Sequence, residues 1–348
     1  MKILLFGKTR TVTRLTEDIA RDLARGGHDV RLFAYRSSKL EKLAEPLLMA
    51  RALGVPLAAL MAWAVRRFAP DLILAIGPFH WLPPEIFEHV AALPGRPPLV
   101  AWIGDVFGAG AAVAARPFDL VAYTDSGLPP LHDRFGFHPP RVFMPLAAVR
   151  PPGRSSGPKG EPKGEPEGGP EGGPEAKPGD GPGRARLARL AFVASATPHR
   201  RALLAKVTTP VALFGPDWRD QAGLERHLRD GRRIGARELA AIYRTHMGIL
   251  NIRNEENIVN GLNQRHFAPY IAATPVLTDR VADLEVCFEP GAEVFVYDSV
   301  DELNGLLDML ARDPDRARTV GLAGQRRVLA HHTYSHRVEA LAALVRGR

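Results

Sequence analysis

The chain has 348 residues, of which 45% are hydrophobic and 24% are charged; this composition is that of a globular protein, and the length allows two domains. The formal net charge is +8, but Arg outnumbers Lys by 38 to 8 and no Lys/Arg run with interleaved aromatic residues occurs, which argues against nucleic-acid binding. The single cysteine, Cys287, excludes an intrachain disulfide and a cysteine-based metal site.

The first half of the chain alternates apolar strands with helical patterns. Its first predicted strand, "KILLFG" at 2–7, is too short for the hydrophobic region of a signal peptide. The other predicted strands lie in "GGHDVRLFAY" and at 71–77, 99–105, 118–125 and 141–147, with helices ending at Arg25 and near 38–50, 54–68 and 84–92. Continuous apolar strands between helices predict a parallel sheet covered on both faces. Such sheets bind ligands beyond the carboxyl ends of their strands.

A low-complexity segment separates the two halves. Prolines recur at every fourth position from Pro158 to Pro178, whereas collagen requires Gly at every third. The segment contains no aliphatic residue larger than Ala and cannot bury a core. We therefore predict a disordered tether at 151–186, between an N-terminal domain at 1–150 and a C-terminal domain at 187–348.

The second half repeats the alternation. Strands are predicted in "LARLAFVAS", "VALFGPDW", "MGILNIR", "TPVLTD" and "EVFVYDS", and helices in "HRRALLAKV", "ARELAAIYRTH" and two C-terminal stretches. A further helix is expected to begin at Val300, with Ser299 as its N-cap and Glu302 three residues later. Two doubly wound α/β domains with a cleft between them are the GT-B architecture of glycosyltransferases, although a fold alone does not establish function.

The chain contains no predicted membrane span. The apolar stretch at 54–77 is interrupted by Arg66, Arg67, Pro70 and Asp71, well before the length that a bilayer requires. With a lone cysteine and no signal peptide, a cytoplasmic location is expected.

Several motifs in the C-terminal half, over residues 189–340, resemble the CgeB-like glycosyltransferases (spore maturation protein CgeB and its relatives). They are "FVASATPHRRALL", "LFGPDW", "ELAAIYRTHMGILNI", "TDRVADLEVCFEPGAEVFVYDSVDEL" and the tail "AGQRRVLAHHTYSHRVEAL". The N-terminal half is similar through "DLVAYTDSG", "RFGF" and "RVFMPLA". The resemblance implies a GT-B fold, a nucleoside diphosphate sugar bound to the C-terminal domain, an acceptor bound to the N-terminal domain, and no cofactor.

The resemblance implies that helix N-termini, backbone amides and basic side chains bind the donor's diphosphate. Ser195 and one of Arg200 and Arg201 would do so at the first strand-to-helix junction, which otherwise is an ordinary capped helix start. Arg265 precedes an expected helix and matches the family's arginine; a surface salt bridge is its structural alternative. Asp279 ends the last strand of this site.

Three other residues are candidates for donor contacts. Asn260 and Asn263 would hydrogen-bond ribose or sugar hydroxyls, or they form a polar turn. Gly215 would let the backbone approach the base or ribose, or it is a turn glycine. Two positions depart from the family: Ala268 stands where relatives have a ribose-binding Glu, and Asn260 where retaining enzymes have a second Glu.

In the N-terminal half, "LLFGKTRT" lacks the second Gly and the Lys-Ser/Thr of a P-loop, so it is expected to form the floor of the cleft. His80 and Asp105 follow strand ends, where a base for an acceptor hydroxyl would lie; a loop histidine and a helix cap are the alternatives, and Asp105 is the first choice. Asp125 is interpreted as structural.

No metal site is predicted. Asp313 and Asp315 form an Asp-x-Asp pair, but at a helix start, where carboxylates stabilise the helix dipole. His332 and His336 are expected on one helix face without an acidic third ligand.

The sequence thus predicts a metal-independent, hexosyltransferase-like glycosyltransferase with an undefined acceptor. One alternative is a catalytically impaired nucleotide-sugar sensor or scaffold, which the missing Glu motivates. A GT-B epimerase is a second alternative, but it would need cleft carboxylates that the sequence does not provide.

Overall fold

The structure is a computed structural model that describes residues 1–9, 14–36, 54–77, 85–105, 116–152, 186–219 and 221–347. The described residues form two domains, each built on a parallel sheet of six strands. His80, the helix predicted near 38–50 and residues 153–185 of the expected tether lie outside the described residues.

The N-terminal sheet has the strand order β2-β1-β3-β4-β5-β6, and all its pairings are parallel. Its strands are β1 (Lys2–Thr9), β2 (Asp29–Arg36), β3 (Leu72–Gly77), β4 (Leu99–Ile103), β5 (Leu120–Tyr123) and β6 (Arg141–Phe143). The helices are α1 (Leu15–Arg25), α2 (Gly54–Phe68), α3 (Glu85–Ala91) and α4 (Leu128–Asp133). The central strands are buried along their whole length, which explains why they are apolar at every position.

The C-terminal sheet has the order β12-β11-β10-β7-β8-β9 and is also parallel throughout. Its strands are β7 (Leu187–Val193), β8 (Ala212–Phe214), β9 (Leu228–Asp230), β10 (His246–Asn251), β11 (Val276–Asp279) and β12 (Phe295–Tyr297). The helices are α5 (Pro198–Ala205), α6 (Ala236–Thr245), α7 (Leu284–Cys287), α8 (Val300–Arg312), α9 (Pro314–His331) and α10 (Tyr334–Arg346). The predicted α/β fold of two doubly wound domains is confirmed.

Helix caps follow the predicted chemistry. Ser299 accepts a hydrogen bond from the Glu302 backbone N–H and begins α8. Asp313 caps α9 in the same way, from the N–H of Arg316, so this carboxylate has a structural role. The expectation that His332 and His336 share a helix face is wrong, because His332 ends α9 whereas His336 lies in the first turn of α10.

The segment after Arg265 also differs from prediction. Instead of one helix, it forms two 3₁₀ turns, Gln264–His266 and Ala268–Ala272. Pro269 lacks a backbone N–H and disfavours helical geometry in the residue before it. Ala273 then adopts a left-handed conformation, with φ of 52°, which ends the second turn.

The last helix packs on the other domain. The side chains of Tyr334, Val338 and Leu341 on α10 are buried with Ile19 and Leu23 of α1 against the N-terminal sheet. An isolated bridge between Ala148 and Thr333 joins the two chain segments just before this helix. The chain therefore returns to the first domain after completing the second.

Candidate functional site

The carboxyl ends of β7, β10 and β11 lie together on the side of the C-terminal domain that meets the N-terminal domain. Strand β7 continues into Ser195 and α5. Strand β10 continues into residues 252–263, which contact the N-terminal domain, and β11 ends at Asp279. The predicted donor-site residues are distributed over these three ends and the loop of β8, as expected for a parallel sheet.

Arg265 is held at the end of β10 by two asparagines. Its backbone N–H donates to Asn263 Oδ1 at 2.9 Å, and its Nε donates to Asn251 Oδ1 at 3.0 Å. Burial lowers the pKa of Arg265, and no carboxylate among the described residues pairs with it. The terminal nitrogens of this guanidinium have no partner among the described residues, so a partly buried positive charge with free donors lies at the strand ends. The alternative of a surface salt bridge is not what the structure shows.

A buried polar network lies behind Arg265, and the sequence analysis did not identify it. His266 Nδ1 accepts the backbone N–H of Asn263 at 3.1 Å, so the proton of the neutral ring is on Nε2, which donates to Thr278 Oγ1 at 3.0 Å. Asn251 Nδ2 also donates to Thr278 Oγ1, at 3.3 Å. Asn251, His266 and Thr278 are almost fully buried. The network fixes the rotamer of Asn251 and hence the direction of Arg265.

Protonation of His266 is expected to destabilise the fold. Burial, together with the nearby charge of Arg265, lowers the pKa of His266 from 6.5 to about 3. Between these values the unfolded chain binds a proton that the folded chain does not. The stability that neutral His266 gives to the folded chain is therefore complete above pH 6.5 and is lost as the pH falls towards 3. We expect the free energy of unfolding to fall by about 2 kcal/mol from this residue between about pH 7 and about pH 5.

Urea unfolding of the wild type and of His266→Gln at both pH values would measure this effect. The variant is expected to be less stable at neutral pH but to lose less stability on acidification. His332, whose pKa burial lowers to about 3, acts in the same direction and remains in both proteins. Equal pH dependence of the two proteins would contradict the assignment.

Arg200 is buried and is bound to main-chain carbonyls. Its Nε and Nη2 donate to Ile252 O at 3.1 and 2.9 Å, and its Nη1 donates to Ser195 O at 3.1 Å. Burial, and then the charge of Arg265, lowers its pKa to about 10, so it stays charged at neutral pH. Arg200 thus ties the end of β7 to the end of β10. Arg201, the other candidate of the pair, is partly exposed and has no side-chain partner among the described residues.

The first turn of α5 is capped by Thr197, at the junction where the sequence allows an ordinary capped helix start. Its side chain accepts from the Arg200 backbone N–H, and Pro198 follows at the first helical position. Ser195 lies just before this cap and is exposed. The N-terminus of α5 is therefore capped by a side chain of the protein, and the residues just before it are accessible to solvent.

Asp279 at the end of β11 is paired within the protein. Its Oδ1 accepts the backbone N–H of Arg253 at 3.1 Å, and its Oδ2 lies 3.3 Å from Arg253 Nε. Burial raises the pKa of this carboxyl, and the bonds from Arg253 oppose the shift. Asp279 orients the loop that leaves β10.

Gly215, in the loop after β8, occupies a position that only glycine fits. Its φ is +127°, and a Cβ at this position would collide with the carbonyl oxygen of Ala194. The same carbonyl accepts the indole N–H of Trp218 at 2.6 Å. The turn glycine thus brings the loop against the end of β7.

Asn260 faces the N-terminal domain. Its Nδ2 donates to Ser126 Oγ at 3.0 Å, and its backbone N–H donates to the buried carboxylate of Asp125 at 3.0 Å. Asp125 also accepts the N–H of Val259 at 2.8 Å and that of Gly127 at 2.7 Å. The Asn260 side chain is therefore engaged in an interdomain contact in this structure, and the structural interpretation of Asp125 agrees with its position.

Asp105 follows β4 at the same cleft. Its Oδ1 lies 3.4 Å from Asn257 Nδ2 of the C-terminal domain, and the residue is partly exposed. Gly7, Lys8 and Thr9 lie within β1, at its carboxyl end. The two domains thus bring the carboxylate of Asp105 and the partly buried guanidinium of Arg265 to the edges of one cleft.

The arrangement matches known structures along its whole length. The HepE protein of Anabaena, solved with UDP and glucose, is 14% identical with a TM-score of 0.60, and the match covers 100% of both chains. Sucrose-phosphate synthase of Thermosynechococcus elongatus is 12% identical with a TM-score of 0.61, and the match covers 100% of this chain and 98% of the synthase. A glycosyltransferase of Rickettsia africae is 9% identical, with 99% and 97% coverage and a TM-score of 0.60. The fold is GT-B.

The second domain of this GT-B protein also matches a sequence family. Residues 193–343 match the model of the glycosyl transferase-like family, which covers every predicted donor-site residue in the C-terminal half. Comparison with curated proteins finds no significant match. Within the described ranges, no helix is long and apolar enough to cross a membrane, and no cluster of three His, Cys, Asp or Glu side chains could hold a metal ion.

Proposed function

We propose that the protein is a glycosyltransferase that moves a sugar from a nucleoside diphosphate sugar to an acceptor hydroxyl, and that it is of the CgeB-like type. The observation that carries the proposal is the partly buried guanidinium of Arg265, whose terminal nitrogens are free and which pairs with no carboxylate among the described residues. A cation that is largely removed from water is costly unless an anion binds to it. HepE, which has the same fold, binds UDP and UDP-glucose.

In the proposed reaction, Arg265, Arg201 and the first turn of α5 bind the diphosphate. Their positive charge stabilises the negative charge that develops on the leaving nucleotide, a role that a metal ion serves in other sites. Arg200 acts as a positioning residue, because its donors hold Ser195 and Ile252 in place. No metal is part of the proposed reaction.

Asp105 is the proposed base. It would accept the proton of the acceptor hydroxyl as that oxygen attacks the sugar's anomeric carbon and the bond to the diphosphate breaks. Its contact with Asn257, which joins the N-terminal and C-terminal domains, supports this role. His80, the second candidate, lies outside the described residues.

A panel of UDP-, GDP- and TDP-sugars tests the proposal, with thermal stabilisation and nucleotide release as readouts. We expect one nucleotide series to stabilise the protein and to be turned over when cell lysate supplies the acceptor. Asp105→Asn is expected to keep the stabilisation and to lower nucleotide release by about 100-fold. Asp29→Asn, at the exposed amino end of β2, is the matched control and should leave both unchanged.

The outcomes separate the alternatives. If no nucleotide stabilises the protein, the donor site is wrong. Stabilisation without turnover by the wild type would instead favour a nucleotide-sugar sensor. That alternative is motivated by two residues: Ala268 has no carboxylate and packs beside the α6 core, and the amide of Asn260 is bonded to Ser126.

A further inference from the structure

One face of the N-terminal domain exposes large apolar side chains side by side. Leu32 on the edge strand β2 is 39% exposed, and Leu60 and Trp63 on the neighbouring α2 are 49% and 59% exposed. In contrast, Trp102 and Trp218 are almost completely buried. An apolar edge strand beside an exposed tryptophan is unusual on a surface that contacts only water.

Three arginines surround these apolar side chains. Arg31 is exposed on β2, and Arg66 and Arg67 are exposed in the last turn of α2. None of the three pairs with a carboxylate among the described residues, although some exposed arginines elsewhere, such as Arg232 and Arg280, do. Arg31 stacks at 4.4 Å over the ring of Phe68. We call this set of six residues the β2–α2 surface: Arg31, Leu32, Leu60, Trp63, Arg66 and Arg67.

The apolar and basic parts are arranged as in helices that lie on membranes. Leu60, Trp63 and Arg67 are spaced three and four residues apart, so they share one face of α2. Met61, Val65 and Phe68 on the opposite side are buried in the domain core. The helix is therefore anchored to the sheet and presents an apolar stripe that ends in cationic side chains.

A pocket in the β2–α2 surface also combines apolar and basic side chains. It lies between β2 and α2, has a volume of about 140 Å³, and is lined by Leu4, Phe33 and Phe68 together with Arg31, Trp63 and Arg67. Its wall is aromatic and aliphatic, and two guanidinium groups border it. This chemistry suits an acyl chain whose headgroup carries a negative charge.

We propose that the β2–α2 surface docks the protein onto a bilayer that contains anionic phospholipids. Trp63 enters the headgroup region, where its amphipathic ring is favourable, and the unpaired arginines contact lipid phosphates. The three cations favour this occupant over a second copy of the chain, because an edge-to-edge dimer would place Arg31 of each copy close to a like charge. The proposal extends beyond the proposed function and does not depend on the donor site.

Vesicle co-sedimentation tests the proposal. The full-length protein is expected to bind vesicles of phosphatidylcholine mixed with phosphatidylglycerol, to bind phosphatidylcholine alone weakly, and to dissociate in high salt. Trp63→Ser should weaken binding about ten-fold through lost apolar burial, and Arg66→Gln/Arg67→Gln about thirty-fold through lost charge. Trp63→Phe should keep most of the binding and lose the blue shift of tryptophan emission that accompanies it.

Matched controls lie on the C-terminal domain. Val286→Ser removes an exposed apolar side chain, and Arg312→Gln/Arg318→Gln removes two exposed charges; both should bind vesicles like the wild type. All variants should keep the wild-type melting temperature, since the changed side chains are exposed. Equal vesicle binding by all proteins, or no binding by the wild type, would overturn the proposal. So would a concentration-dependent dimer that Trp63→Ser dissociates, which would make the surface a self-association interface.

Discussion

Arg265→Gln is expected to weaken nucleoside diphosphate binding by about 100-fold, or about 3 kcal/mol, because a partly buried guanidinium makes strong charge-assisted hydrogen bonds to phosphate. The same change should not destabilise the protein without ligand. Arg265 is a partly buried charge close to Arg200 and has no pairing carboxylate among the described residues, so a neutral amide relieves both desolvation and repulsion. We expect the unliganded variant to be as stable as the wild type or about 1 kcal/mol more stable.

Titration calorimetry with the nucleotide that stabilises the wild type, and urea unfolding without nucleotide, measure the two effects separately. Arg318→Gln, an exposed arginine of α9, is the control and should change neither quantity by more than about 0.5 kcal/mol. Arg265→Lys keeps the charge but loses the planar fork and should give an intermediate affinity. If Arg265→Gln lost stability and kept its affinity, Arg265 would be structural and the donor site would have to lie elsewhere.

The fold could be predicted because both sheets are buried on both faces. Strands such as β3 and β4 are apolar at every position, and the helices between them have their own caps, of which Ser299 is an example. The three-residue strand β9 was missed because "LRD" has an alternating burial pattern and pairs only at the sheet edge. The packing of α10 on the first domain depends on contacts between distant parts of the chain, which no local pattern reports.

The grouping of the candidate residues at one edge of the sheet was predictable, but their contacts were not. Residues such as Ser195, Arg265 and Asp279 follow apolar strands, and a parallel sheet places such strand ends on one side. The roles of Arg200 and Asn260 were not readable, because their partners, Ile252 and Ser126, are 52 and 134 residues away in the chain. His266 carries no signal in the sequence that distinguishes it from other polar residues, and its burial beside Arg265 makes it a neutral member of the network.

The contacts between the domains connect the site to overall stability. Asp125 binds the backbone at Val259 and Asn260, the segment that leads into the donor site. A Cβ on Gly261 would collide with the Asp125 side chain, so only glycine allows this approach. At the far end of the chain, α10 is held to the first domain by a second buried carboxylate, Asp22. Asp125 and Asp22 thus each accept backbone N–H groups from the second half of the chain, and Asp22 also accepts one from Arg150, at the end of the first half.

Asp22→Ala is expected to lower the free energy of unfolding by about 3 kcal/mol or more. The carboxylate is fully buried on α1. Its Oδ2 accepts the backbone N–H of Ser335 at 2.8 Å, and its Oδ1 accepts the backbone N–H of Arg150 at 2.5 Å. Alanine leaves both N–H groups without an acceptor, and each such group costs about 1–3 kcal/mol when buried. The charge of Arg150 would also lose its buried partner.

Asp18→Ala provides the control because it makes the same substitution in the same helix. Among the described residues, Asp18 forms an ion pair only with Arg21 one turn away, at 2.8 Å, and both side chains are partly exposed, so its loss should cost about 0.5 kcal/mol. Urea unfolding of the two variants compares the costs at equal helix propensity. Since α10 belongs to the chain's second half and packs on the first domain, Asp22→Ala should also expose α10 to faster amide hydrogen exchange while Asp18→Ala does not. Similar stability and exchange in the two variants would show that α10 is held by its apolar contacts alone.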